Sequence, residues 1–160
     1  IGYNYGAKQY GRVLTVLKYS IICATCVTTI AFLIGAIFPR AVASAFVDSS
    51  NGITDMAMVD VVAQGLGVAM LIFPLVGFQI IVGGFFQYIG RAQLAMFLSA
   101  TRQLLFLLPM LLILPKTYGA MGAWVSMPIA DSASVIVATI LIVKQVRKLR
   151  RKEHDMHFSR

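Results

Sequence analysis

Between Lys18 and Arg40 the chain reads YSIICATCVTTIAFLIGAIFP (residues 19–39), twenty-one residues without a charge. At 1.5 Å per residue a helix of that length reaches about 30 Å, the thickness of a bilayer's hydrocarbon core. The stretch reads as a membrane crossing that begins a turn or more earlier, near residue 13. Residues 61–90, VVAQGLGVAMLIFPLVGFQIIVGGFFQYIG, form a second uncharged run of thirty. That exceeds a straight crossing and implies a tilt, an extension beyond the bilayer, or a bend at Pro74 or Gly83-Gly84.

Two further spans follow, 92–115 with the single charge Arg102 and 119–143 with the single charge Asp131. The connection PKTYG (115–119) reads as a short turn, so these two spans are antiparallel neighbours. The reading is therefore all-α, a polytopic helical membrane protein with crossings at about 13–39, 60–90, 92–115 and 119–143 and a basic tail at 144–160.

Bulk composition points the same way. Of 160 residues, 59% are hydrophobic and 12% charged, about half the charge of an ordinary soluble domain. The net charge of +8 does not mark a nucleic-acid partner, because no basic or aromatic face accompanies it. It comes largely from Lys144, Arg147, Lys148, Arg150, Arg151 and Lys152, one run after the last apolar span, placed to meet anionic headgroups. Counting Lys and Arg by side puts eleven with that tail and two, Arg40 and Lys116, opposite. Basic residues accumulate on the cytoplasmic side. Both ends are thus expected inside, with the polar loop of Asp48, Ser49-Ser50-Asn51-Gly52 and Asp55 outside. The opening Ile1-Gly2-Tyr3 has none of the marks of a signal peptide and reads as a start within a longer protein.

Arg102 and Asp131 are the two charges set inside spans, at nearly matched depths from Arg91 and Lys144. A buried charge is costly unless paired or wet, so the expectation is a pair across the third and fourth spans. The alternatives are a coupling-ion or substrate site and exposure to an aqueous vestibule. Gln79, Gly83, Gln87 and Gly90 share one helical face, which reads as a helix contact or as the lining of a cavity. Phe78 and the methionines, Met127 among them, join it as candidates for a deformable substrate path. Pro128 leaves the carbonyl near Trp124 without its helical donor, one turn before Asp131.

Cys23 and Cys26 form a C-x-x-C, but redox or zinc chemistry needs thiolates and further ligands, and packing is the simpler reading. His154 and His157 lie on the tail and read as solvated. No catalytic constellation, metal site or phosphate-binding loop is present in the sequence, so an enzyme is not expected.

Three segments and a pair, in order, resemble the multidrug and toxic compound extrusion (MATE) family of bacterial type: IGYNYGAK (1–8), GFQIIVGGFFQYIGR (77–91), Arg102-Gln103 and WVSMPIAD (124–131). The resemblance implies a twelve-helix transporter of two six-helix lobes, with these spans as helices 9–12 of the C-terminal lobe and helices 1–8 missing. It implies a secondary antiporter in the bacterial inner membrane, exporting cationic or amphipathic compounds in exchange for H+ or Na+. Such a fragment is not expected to transport alone, and no cofactor is expected beyond the coupling ion. A sodium-coupled branch of the family carries an aspartate three residues before the glutamine matching Gln79. Here that residue is Val76, which moves the expected ion site to the missing lobe. A flippase of a lipid-linked precursor, with the same wider fold, and a non-transporting membrane subunit are the other readings.

Overall fold

The computed structural model describes residues 1–45 and 56–158, and the side chains of all of these except 56–58 and 156–158. The expected loop around Asp48, Ser49–Gly52 and Asp55, the terminal Arg160 and the side chain of His157 lie outside the described residues. All regular structure among the described residues is helical.

A short helix α1 (Gly2–Gly6) opens the chain, and Lys8, in the left-handed region at φ 58°, turns it into α2 (Tyr10–Ile37). Its 28 residues reach about 42 Å, enough to cross a bilayer with tilt. It is apolar on every side, so little of it needs covering: only Tyr10, Val13, Leu17 and Gly35 are buried. Cys23 and Cys26, expected in packing, are exposed on its outer face as free thiols. A brief α3 (Pro39–Ser44) follows.

The second long run begins with α4 (Met56–Ala69), tightens into a 3-10 turn at Met70–Ile72 and resumes as α5 (Phe73–Tyr88). The irregularity falls just before Pro74, which lacks the N–H that would bond the Met70 carbonyl; Gly83-Gly84 sit inside regular helix. α5 packs closely on α2. A Cβ at Gly77 would come within 2.7 Å of the Ala24 carbonyl oxygen, so the small residue is what permits the approach. Gly90, at φ 77°, ends α5. The N–H of Arg91 bonds the Phe86 carbonyl and that of Gly90 the Gln87 carbonyl, a Schellman cap that needs the left-handed residue.

Residues Ala92–Asp155 form 64 residues of helix, apolar up to about Val143 and basic beyond it, some three times what one crossing requires. They comprise α6 (Ala92–Ala100), a π-helical stretch at Thr101–Leu107 and α7 (Leu108–Phe158). Within α7, Gly119 adopts φ 60°, ψ −144°, a backbone open chiefly to glycine. The chain folds back there: Gly122 abuts the Leu114 carbonyl, and residues 29 apart meet below it. Thus three continuous apolar stretches supply four antiparallel segments, with the sharp break at Gly119 and Pro115 within helix. The basic tail is helical too, continuing α7 to Phe158.

The core lies towards the end of the bundle where the chain starts α2 and ends α7. There Tyr10, Val13 and Leu17 of α2 meet Phe85 and Phe86 of α5, Leu98 of α6, and Ala138, Ile142 and Leu149 of α7.

Candidate functional site

Two polar side chains from different elements converge on one face of α7. Arg102, the second residue of the π-helical stretch, donates from Nε to Oδ1 of Asp131 at 2.6 Å. Gln79 of α5 donates from Nε2 to the hydroxyl of Ser134. Asp131 and Ser134 are three residues apart on one helical face, 7% and 0% exposed. The π-helix matters here. Its i→i+5 spacing re-aims the side chains that follow α6, and Arg102 is the charged residue it carries. Pro128, one turn before Asp131, removes a donor from the Trp124 carbonyl, and Ser132 donates to the Pro128 carbonyl at 2.7 Å.

The pair is not sealed. Arg102 keeps 37% of its side chain exposed against 11% for Asp131, so the carboxylate is held in protein while the guanidinium faces an opening. That opening is a groove of about 440 Å³ lined by Gln79, Gly83, Gln87, Ser99 and Arg102, with Tyr88 at its rim. A Cβ at Gly83 would meet nothing within 4 Å. Gln79 Oε1 is buried with no hydrogen-bond partner among the described residues. Such a site offers neutral amide acceptors, a paired cation and an aromatic edge. It has the chemistry for holding an organic molecule, not for breaking a bond.

Gln79, Gly83 and Gln87 therefore share one wall with Arg102. Phe78 instead packs half-buried against the core, and Met127 lies outward on α7, 42% exposed; neither lines the groove. Ser134 and Ser99 escaped the sequence reading. Ser134 was findable as the residue one turn beyond Asp131, but serine is so common in apolar helices that spacing alone gave it no weight. Among the described residues no three His, Cys, Asp or Glu side chains gather as a metal site.

Comparison with known proteins bears on the family and the fold. The MatE family profile matches residues 1–113. The chain belongs to the MatE family. A solved inward-facing multidrug resistance MATE transporter of the MOP superfamily superposes with a TM-score of 0.81 over 94% of this chain and 34% of its own, at 20% identity. A second structure, described only as "protein A", gives 0.75 over 89% of this chain and 30% of its own, at 32% identity. No curated protein matches. The chain thus spans about a third of the length of the solved structures it resembles. It is a multi-pass membrane protein of transporter fold.

Proposed function

We propose that this MatE chain is part of a secondary active exporter of cationic or amphipathic compounds, in which the Gln79–Arg102 groove forms part of the cargo path. The observation that carries the reading is a concavity whose largely apolar lining is interrupted by two amides and a guanidinium. Amides and a guanidinium at membrane depth are costly, and the groove is where they collect. In this reading Arg102 and Asp131 neutralise each other, so an organic cation meets acceptors rather than a bare positive charge. A flippase for an anionic precursor fits less well, since it needs several unpaired basic groups and the groove holds one, already paired.

Exchange against H+ or Na+, location in the bacterial inner membrane and a cytoplasmic C-terminus belong to the same proposal, the last supported by the eleven-to-two charge asymmetry. Val76 lacks a carboxylate, which favours a coupling site elsewhere in the transporter. The test is gradient-driven export of a cationic dye by the intact protein in proteoliposomes. Export that stops when the proton or sodium gradient is collapsed is expected. Dye movement indifferent to both gradients would refute the antiport, and no movement at all would refute the exporter.

A further inference from the structure

A second hollow lies away from the cargo groove, between α2 and the end of α7, with a volume of about 640 Å³. Its walls are apolar, from Leu14, Leu17 and Ile21 on one helix and Ile142, Val143 and Val146 on the other. All three of its charged residues are basic: Lys18, Arg147 and Arg150. The helices run in opposite directions, so Lys18 stands level with Arg147, and Ile22 with Val143 one turn further in. Charge thus collects at one end of the hollow and hydrocarbon at the other.

Two observations give the depth. Lys18 is the last charge before the uncharged 19–39 run, which sets the basic end at headgroup level. From Ile21 and Ile22 a further hollow of about 490 Å³ continues along α2 through Thr25, Cys26 and Thr29 to Ile30. Ile21 to Ile30 covers about 14 Å, close to half the hydrocarbon thickness. The outer face is open, with Ile22 48% and Ile30 58% exposed. The inward face of the same helical tail is closed by Gln145 and Leu149, 5% and 1% exposed. The tail is therefore held against α2, which fixes the backbone from which its arginines extend.

We propose that this groove binds one anionic phospholipid, its phosphate between Lys18, Arg147 and Arg150 and an acyl chain lying along α2 towards Ile30. Arginine forks suit phosphate oxygens, and basic pockets between helices at this depth match anionic headgroups. A zwitterionic lipid brings no net charge to the three cations, whereas an anionic lipid brings at least one negative charge.

Native mass spectrometry of the intact protein, offered phosphatidylglycerol and phosphatidylcholine with the same acyl chains, tests it. Phosphatidylglycerol is expected to stay bound and phosphatidylcholine to be lost. Each basic contact contributes roughly fivefold, so the triple variant Lys18→Gln/Arg147→Gln/Arg150→Gln should lose roughly a hundredfold in affinity. The charge-matched control Lys144→Gln/Lys148→Gln/Arg151→Gln, whose residues do not line the groove, should keep most of it. Val143→Trp, which fills the groove without changing charge, should also release the lipid. Equal retention of both lipids, equal losses in the two triple variants, retention in Val143→Trp, or complete displacement by soluble glycerol phosphate would each overturn the proposal. None of these readouts involves transport, so a failure of the exporter reading leaves the lipid result interpretable.

Discussion

The two ends of the bundle are built differently. At the end where α2 begins and α7 finishes, aromatic and branched side chains from α2, α5, α6 and α7 bury one another completely: Val13, Val82 and Phe85 are fully enclosed, and Phe86 and Leu149 nearly so. At the other end the second buried cluster is Ala43, Val59 and Ala63, with Val62 and Leu66 packed beside them. The ion pair there, Arg40 Nε to Asp60 Oδ1 at 2.9 Å, joins α3 to α4 in the open, with side chains 77% and 49% exposed. Inside lipid, apolar side chains gain little from burial as such, and helices are held by close packing and hydrogen bonds. Large interlocked side chains therefore hold the first end, while among the described residues the second is held by a smaller cluster and a solvated pair. The polar groove and the Arg102–Asp131 pair lie between the two.

Substitutions at matched positions can break this contrast. The largest effect is expected from Phe85→Ala, at roughly 3–5 kcal/mol for the void left in a closed core. Val59→Ala at the opposite end should cost roughly 2 kcal/mol or less, because it removes fewer contacts and its surroundings can close. Thermal or denaturant unfolding in detergent checks both, and similar costs would erase the difference between the ends.

Next is Asp131→Ala, which leaves Arg102 without its partner. Breaking a fully buried pair costs about 3–5 kcal/mol, and the exposed part of Arg102 brings the expectation down to about 2. In a double-mutant cycle Arg102→Ala and Asp131→Ala should be non-additive by about 1 kcal/mol or more; additive losses would mean the contact carries no energy.

A glycine pair sharpens the picture further. Gly77→Ala should cost roughly 1–3 kcal/mol, because its Cβ would meet the Ala24 backbone, which cannot swing aside. Gly83→Ala should fall within about 0.5 kcal/mol, since that Cβ projects into open groove. The smallest effect belongs to Arg40→Ala, at most about 1 kcal/mol and fading as salt rises; a larger, salt-insensitive loss would show the second end to be tighter than described.

Much of this was legible in the residues. Long uncharged runs announce membrane helices because lipid leaves the backbone no other satisfied conformation, and Gln79, Gly83 and Gln87 declared a shared face through their spacing alone. Two lone charges at matched depth pointed at one another for an elementary electrostatic reason. Other features depended on tertiary contacts. Gly77 and Gly83 look alike in sequence, yet one is a helix contact and the other a cavity wall, a distinction set by where α2 passes. Phe78 and Met127 look alike as apolar side chains in sequence, but rotation about α5 and α7 turns one towards the core and leaves the other exposed. The basic tail reads as a run that meets headgroups because its charges dominate, whereas Ile142, Gln145 and Leu149, three and four residues apart, give it a buried stripe.

The most direct test of the account is Gly83→Trp in the intact transporter, which fills the groove from a position with nothing within 4 Å of the added Cβ. An unchanged melting temperature and abolished gradient-driven dye export are expected. Export at the unsubstituted rate through a filled groove would contradict the account.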